Sequence, residues 1–312
     1  MSKEVKRLNK VVVVGTLAEV GNLKFDENAV SKSNDKIKGA ITKVDFKKPS
    51  FVIDVNGQQI GVNTLPTYKT KEDKESGKIV ENDRFKALET IMGYPVGTRV
   101  KVEGSIAVGN PYMGKNGIIE PVSVQMFTMT SSGVGEDDYA EGKISGYVRS
   151  IKDEVDKDDN ETGRSLVDFW ILNYDGSVSP ITLVVAEEDV EGFEETYEKG
   201  DSAILDFDIT VRRVGGKKSS GGFGHRESRV VSGFNITEYV IFNGETVEED
   251  GKNGDYFIDE DDFKKLFKAH QQKCEEAKNA PSNSDDKPKK GLGSARKSHV
   301  ETTDDDDECP FD

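Results

Sequence analysis

Apolar and polar residues alternate along the first 130 residues in the way expected of strands that bury one face. Residues 10–17 form a β-branched run of strand length. Residues 51–55 alternate, and the pattern resumes at residues 60–62 after Asn56-Gly57. Because Asn-Gly tolerates the positive φ angles of a type I′ turn, this segment predicts a β-hairpin.

A helix and two further strands complete this half. Phe85, Leu88 and Met92 have helical spacing, and Asn82 precedes them as a predicted N-cap. The further strands are predicted over residues 99–108 and 122–129.

The same order of elements repeats after a small-residue, acidic linker over residues 131–140. Strands are predicted over residues 142–151, 165–174, 181–186, 203–211 and 230–242. A short acidic helix, residues 187–198, is predicted between the third and fourth of them.

Each half therefore reads strand, strand, strand, helix, strand, strand. This is the order of the oligonucleotide/oligosaccharide-binding barrel, the OB-fold. A β-sandwich gives no reason for a helix at the same point twice. We predict a mainly β protein with two OB-fold-like five-stranded barrels in tandem, as domains over residues 1–130 and 141–250.

A short helix and a polar tail follow the second predicted barrel. The helix is predicted over residues 255–279, with Phe263, Leu266, Phe267 and His270 on one stripe. The stripe suits docking onto the protein's own barrel, with a partner-binding or dimerisation helix as the alternative. Residues 280–312 are predicted to be a disordered linker with an acidic tip.

The charge balance is acidic but uneven. The 312-residue chain has a net charge of −16, and its last twelve residues carry seven carboxylate side chains and no cation. For nucleic acid binding the local charge distribution decides more than the total.

Length and cysteine usage indicate a soluble intracellular protein. No apolar run approaches the ~20 residues that span a bilayer, and no signal-type segment follows Met1. Cys274 and Cys309 are too few for a disulfide framework. We expect a protein of the bacterial host cytoplasm that does not bind membranes.

Enzyme and metal signatures are absent from the sequence. Residues 215–222 resemble a phosphate-binding loop in composition but not in spacing. The acidic segment 153–163 lacks the glycine and glutamate positions of a calcium loop. The three histidines have no cysteine pair nearby. We therefore expect no enzyme activity, no cofactor and no metal.

Basic and aromatic residues cluster in the predicted hairpin between the last two strands of each half. The first hairpin offers Tyr112 and Lys115. The second, residues 212–229, carries six Lys/Arg against one Glu, together with five glycines and one aromatic residue. Its candidate DNA-binding residues are Arg212, Arg213, Lys217, Lys218, Phe223, Arg226 and Arg229. Cations neutralise phosphates and aromatic rings stack on unpaired bases, although a merely solvated basic loop is the alternative.

Residues on or beside the predicted strands supply further candidates for DNA binding. Phe46, Lys47 and Lys48 are predicted to open the second strand of the first half, with Lys43 on the same side as Lys47. In the second half the candidates are Tyr147 and Arg149 on the first strand and Trp170 and Tyr174 on one face of the second. A core position is the alternative for Trp170.

These features together resemble the single-stranded DNA-binding proteins of bacteria and their phages. Residues 9–17 are similar to the first strand of bacterial members, and residues 304–311 are similar to their acidic tip. In that family the tip recruits replication and repair proteins through its terminal Pro-Phe. The resemblance thus implies a docking role for Asp304, Asp305, Asp306, Asp307, Glu308, Pro310 and Phe311.

Two departures favour a bacteriophage member of that family. Typical bacterial members have one OB-fold per chain and form tetramers, whereas two barrels are predicted here. Their tip ends on Phe, whereas Asp312 follows Phe311 here. Tandem barrels lessen the need to oligomerise, so a monomer or dimer is expected.

The sequence therefore predicts a protein that coats single-stranded DNA in replication and recombination. The tip is expected to recruit a polymerase, helicase, primase or recombinase. The alternatives are an OB-fold protein-interaction or inhibitor module and an accessory subunit of a recombination or primase complex.

Overall fold

Strands make up most of the protein, as the alternating patterns predict. The computed structural model describes residues 5–114, 117–156, 159–214 and 234–279, all of which belong to one compact unit. The elements of the first half are β1 (Asn9–Val20), β2 (Leu23–Val30), β3 (Lys38–Lys43), β4 (Phe51–Val55), β5 (Gln58–Asn63), β6 (Thr67–Tyr68), β7 (Thr70–Glu72), β8 (Ile79–Glu81), α1 (Asp83–Met92), β9 (Arg99–Val108), β10 (Tyr112–Gly114), β11 (Gly117–Ile119) and β12 (Val122–Thr130). Those of the second half are β13 (Tyr139–Val155), β14 (Glu161–Leu172), β15 (Val178–Val185), α2 (Val190–Thr196), β16 (Ser202–Val214) and β17 (Phe234–Val247), followed by α3 (Glu260–Asn279).

Five strands of the first half close into a barrel in the order β1, β4, β5, β12, β9. Neighbours are antiparallel except β5 and β12, which run parallel with Val124 opposite Val62. The ladder from β9 back to β1 closes the barrel, with Val11 opposite Gly104. The third and fifth strands of an OB-fold meet in this way, so the predicted fold is confirmed.

The second half repeats this closure in the order β13, β14, β15, β17, β16. Here β15 and β17 are the parallel pair, with Val184 opposite Val240, and β16 returns to β13. α2 lies between the third and fourth strands in sequence, as α1 does in the first barrel. Phe51, Phe169 and Phe207 are completely buried in the apolar core that fills the barrels.

The first strand of each barrel changes its neighbour at a glycine. A Cβ atom on Gly15 would lie 2.2 Å from the carbonyl oxygen of Asp54, and one on Gly146 would lie 2.3 Å from that of Trp170. Only glycine permits so close an approach of two backbones. The two barrels therefore curve at equivalent positions of β1 and β13.

The barrels join edge to edge through these same two strands. Residues Asn9 to Val14 of β1 pair antiparallel with Ile144 to Tyr139 of β13. The Asn9 side chain also donates to the Ile106 carbonyl oxygen and accepts from its amide, both at 2.8 Å. Tyr139 and Ala140 were predicted as linker but belong to β13, because pairing with β1 gives their backbone groups partners. The predicted domain limits stay predictions.

Several local predictions hold. Asn56 and Gly57 have φ angles of 53° and 83°, as a type I′ turn requires. The Asn82 side chain accepts from the Arg84 amide at 3.1 Å and caps α1. The acidic helix begins as a single 3-10 turn at Glu187–Asp189 and continues as α2.

The sequence pattern did not predict two small sheets in the first half. One has the order β2, β3, β6, and the other pairs β7 with β8. β2 and β8 bury no residue completely, so they lack the alternation that marks the barrel strands.

The C-terminal helix packs onto the second barrel. The Phe263 ring stacks on Tyr147 with 3.9 Å between ring centroids, and Phe267 meets Trp170 edge-on at 4.9 Å. This confirms docking onto the protein's own barrel over the alternative of a partner-binding or dimerisation helix. Among the described residues, no helix is sufficiently long and apolar to cross a membrane.

Candidate nucleic-acid interface

Each barrel has one face where the fold allows a ligand to bind. OB-folds bind ligands across strands two and three, between the loop joining strands one and two and the loop joining strands four and five. The first-barrel face is formed by β4 and β5 with the loop at residues 21–50 and the hairpin of β10 and β11. The second-barrel face is formed by β14 and β15. In its two connecting segments, residues 157–158 and 215–233 lie outside the described residues.

An exposed aromatic side chain lies in the loop that leads into the first-barrel face. Phe46 is 85% exposed, and Lys47 and Lys48 beside it are exposed too. Asp45 fixes the turn, because its carboxylate accepts from the Lys47 amide at 2.9 Å and its carbonyl oxygen from the Lys48 amide at 3.2 Å. The prediction that these residues open a strand was wrong, since β4 begins only at Phe51.

Lys43 ties this loop to the end of β5. Its Nζ donates to Asn63 Oδ1 at 2.8 Å and to the Phe46 carbonyl oxygen at 3.3 Å. Partial burial lowers the pKa of the Lys43 ammonium. Lys43 ends β3, so it does not share a strand side with Lys47. Its role in the structure is to hold the Phe46 loop against the first-barrel face.

A cleft of about 420 Å³ lies between the first barrel and the turn after β14. Its volume falls in the range of about 300–1,000 Å³ that is typical of ligand pockets. Residues of both barrels, the N-terminal segment and α3 line it, among them Arg7, Leu65, Phe127, Tyr174 and Lys273. Glu120 and Asp175 also line it and offset the two cations. The cleft therefore suits a base or sugar better than a phosphate.

Tyr174 stands at the edge of this cleft and is 82% exposed. The Arg7 guanidinium lies 5.2 Å from the centroid of its ring. Arg7 is itself positioned by donating to the Asn173 carbonyl oxygen at 2.8 Å. Tyr174 does not share a strand face with Trp170 as predicted, because β14 ends at Leu172.

The hairpin of the first barrel presents a second exposed aromatic residue. Tyr112 on β10 pairs with Ile119 on β11, and its side chain is 51% exposed. Met113 beside it is 56% exposed. Lys115, predicted at the tip of the hairpin, lies outside the described residues.

Two of the predicted stacking residues are covered. Tyr147 is 5% and Trp170 is 3% exposed, because α3 lies over them. The Trp170 indole already donates to Asp168 Oδ1 at 2.8 Å. The alternative for Trp170, a core position, is what the structure shows. Neither ring offers a face to a base while α3 is docked.

Two predicted cations are engaged by carboxylates. Arg149 donates to Asp168 at 2.8 Å, and its guanidinium lies 4.6 Å from the Phe267 ring centroid. Arg212 donates to Glu238 at 2.7 Å and to Glu154 at 2.8 Å. Both arginines therefore have local structural partners that a phosphate would have to replace. Arg213, the next residue on β16, is exposed.

The cleft contains residues that the sequence reasoning missed. Arg7 precedes the first strand, and Leu65 follows β5 without any periodic pattern. Phe127 is 42% exposed beside an irregularity in the pairing of β12 with β9. Of these, only Phe127 was predictable from the sequence. Strand alternation puts it on the outer face of β12, since Val124 and Met126 occupy the buried face.

The remaining predicted residues lie outside the described part of the chain. They are Lys217, Lys218, Phe223, Arg226 and Arg229 of the long hairpin, and Asp304, Asp305, Asp306, Asp307, Glu308, Pro310 and Phe311 of the tip.

One group of metal-ligating side chains adjoins the cleft in the described part of the chain. His270 and Cys274 of α3 and Glu120, between β11 and β12, bring their ligand atoms within 4.8 Å of one another. His270 Nε2 lies 3.2 Å from Glu120 Oε2 and 3.4 Å from Cys274 Sγ.

The described residues thus define a tandem OB-fold protein with open aromatic and cationic positions on the first barrel and at the cleft. The chain belongs to the YorF family, whose sequence model matches residues 7–280. No curated protein matches it.

Crystal structures of the single-stranded DNA-binding protein from Thermus aquaticus show a low overall similarity. A deletion variant of that protein is 14% identical, with 79% of this chain and 97% of that chain covered at a TM-score of 0.44. The wild-type protein is 12% identical, with 78% and 94% covered at a TM-score of 0.43. The fold assignment rests on the strand pairings above.

Proposed function

We propose that the protein binds single-stranded DNA without reading its sequence and coats it during replication and recombination. The observation that carries this is the placement of Phe46 and Tyr174. They are 85% and 82% exposed, more than any other phenylalanine or tyrosine of the described residues. Phe46 has Lys47 and Lys48 beside it, and Tyr174 has Arg7 over its ring.

The pairing of an open ring with a cation matches the chemistry of an unpaired strand. Stacking of one base on an aromatic ring contributes about 1–3 kcal/mol for any base, because every base has a π-face. Lys47 and Lys48 neutralise phosphates and release counterions, which makes the affinity depend on salt. Neither interaction reads base edges, so the expected binding is independent of sequence.

The acidic tip has a separate proposed role. Residues 301–312 would dock a replication or recombination enzyme through Phe311, with their carboxylates facing a basic rim. When DNA is absent, the same carboxylates would compete for the basic hairpin at residues 212–229, since both belong to one chain.

The test is a titration of labelled oligo(dT), followed by fluorescence anisotropy at two salt concentrations. Phe46→Ala and Tyr174→Ala are each expected to raise Kd roughly 5- to 150-fold, the equivalent of one lost stacking contact. A Lys47→Ala/Lys48→Ala double variant should instead flatten the salt dependence, by about 1.4 in the slope of log K against log salt.

Phe242→Ala is the matched control, since Phe242 is 52% exposed on β17, outside both faces. It should bind as the wild type does. Wild-type affinity for both Phe46→Ala and Tyr174→Ala would overturn the proposed interface. Absence of binding even at low salt would overturn the proposed function and favour a protein-interaction module.

A further inference from the structure

Glu120, His270 and Cys274 bring together three kinds of metal ligand from two separate parts of the fold. His270 and Cys274 lie one helical turn apart on the same side of α3, and Glu120 approaches them from the first-barrel hairpin loop. His270 and Cys274 have the i, i+4 spacing of two metal ligands on one helix, but two ligands do not make a site. Only the docking of α3 beside the hairpin assembles the group.

Hydrogen bonding alone accounts poorly for this geometry. The same ring nitrogen, His270 Nε2, is close to both Glu120 Oε2 and Cys274 Sγ. An imidazole nitrogen has either one hydrogen or one lone pair, so it cannot make two well-directed hydrogen bonds. Three ligand atoms this close together are what a cation between them requires.

The distances also fit the edges of a tetrahedron. Zinc bonds of about 2.05 Å to nitrogen, 2.1 Å to oxygen and 2.3 Å to sulfur give N···O and N···S edges of about 3.4 and 3.6 Å. The observed separations are 3.2 Å and 3.4 Å. Both separations lie within a few tenths of an ångström of the expected edges, and the Glu120 oxygen and the Cys274 sulfur lie within 4.8 Å of each other.

The surroundings favour a cation as well. His270 is buried, and Glu120 and Cys274 are partly buried. A divalent ion would balance the negative charges that a carboxylate and a thiolate bring to this partly buried position. Glu120 and His270 line the cleft, so a fourth position is open to water there.

We propose that Glu120, His270 and Cys274 form a zinc site that clamps α3 to the hairpin of the first barrel. A thiolate with an imidazole selects zinc over magnesium or calcium, which take oxygen ligands. The clamp holds α3 over Tyr147 and Trp170. The sequence expectation of no metal looked for paired cysteines and did not foresee that the fold supplies the third ligand.

The test uses the full-length protein, stripped of metal with a chelator and titrated with Co²⁺. One equivalent should bind with the intense near-ultraviolet absorption of a cobalt–thiolate bond, and Zn²⁺ should displace it. Bound Co²⁺ should also quench Trp170, the only tryptophan, since its ring centroid lies 4.9 Å from that of His270.

Variants separate this site from adventitious binding. His270→Ala, Cys274→Ser and Glu120→Gln should each weaken Co²⁺ binding more than about 10-fold. Cys309→Ser and His299→Ala, which change the other cysteine and another histidine, should bind as the wild type does. Zn²⁺ should raise the Tm of the wild type and not that of Cys274→Ser, a comparison that also reveals a variant that fails to fold.

Three results would overturn the proposal. They are the absence of cobalt–thiolate absorption, equal Co²⁺ affinity in wild type and Cys274→Ser, and loss of binding in Cys309→Ser. Any of them would leave His270 and Glu120 as an ordinary hydrogen-bonded pair with a thiol nearby. DNA binding is measured separately, so failure of the zinc site leaves the proposed function standing.

Discussion

Replacing Phe263 with alanine should release α3 from the second barrel while both barrels stay folded. Phe263 is 5% exposed, stacks on Tyr147 at 3.9 Å and meets Trp170 edge-on at 5.8 Å between ring centroids. Truncating such a buried phenylalanine costs about 3–5 kcal/mol. Because α3 lies on the outside of a closed barrel, this loss falls on helix docking. At 1.4 kcal/mol per factor of ten, the docking constant should drop by about 100-fold or more.

Trp170 reports the release directly, because it is the only tryptophan and is 3% exposed under α3. Its emission should shift to longer wavelength, and acrylamide should quench it more strongly, while the far-ultraviolet signal of the strands persists. Lys264→Ala is the control on the same helix. Lys264 pairs with Glu260 at 2.9 Å and is 63% exposed, and such a pair contributes only about 0.3–0.5 kcal/mol.

Two results would refute this reasoning. Wild-type emission and quenching in Phe263→Ala would mean that Phe263 is not the anchor of α3. Loss of all strand signal together with the shift in emission would mean that the helix and the barrel unfold as one cooperative unit, so that docking has no separate equilibrium.

Three further predictions concern an ion pair, a glycine and the acidic tip. Arg99 donates to Asp138 and holds the pKa of that carboxyl below its ordinary value, so Asp138→Asn should lower the unfolding free energy by about 1 kcal/mol at neutral pH. A carboxyl with a depressed pKa stabilises the folded protein at pH values above its unfolded-state pKa. This contribution is lost as the pH falls through the folded-state pKa, so the urea melts of wild type and Asp138→Asn should converge in acid. Gly146→Ala should destabilise by at least about 1–3 kcal/mol in the same melts, whereas Gly135→Ala, whose Cβ meets nothing within 4 Å, should not. Deleting residues 301–312 should leave or raise the affinity for oligo(dT) and abolish partner capture in pull-downs, and a clear loss of DNA affinity would contradict the proposed role of the tip.

The barrels were predictable because their signals are local. Alternation in β4 and β14, the Asn56-Gly57 turn and the Asn82 cap each depend on a few neighbouring residues. In both halves a helix lies between the third and fourth strands, and this repeat favoured the OB-fold over a β-sandwich. β2 and β8 escaped prediction because strands without a buried face carry no alternation.

The candidate interface was less predictable because tertiary contacts decide which rings are open. Trp170 and Tyr174 are close in sequence and equally aromatic, yet one is 3% and the other 82% exposed. The difference is made by Phe263 and Phe267, which come from α3 and cover Trp170. Arg7 reaches Tyr174 from the other end of the chain. No local pattern encodes such pairs.

The two barrels differ in how exposed their aromatic rings are, and this difference limits where single-stranded DNA can bind. On the first barrel Phe46 is open, and Tyr174 is open at the cleft. On the second barrel, a base that stacks on Tyr147 or Trp170 must first displace α3. Stacking on both rings returns about 2–6 kcal/mol, while removing the buried Phe263 side chain alone costs about 3–5 kcal/mol. Phe267 and the proposed metal add to the cost. We therefore expect single-stranded DNA to bind at the Phe46 loop and at the cleft, with α3 still docked on the second barrel.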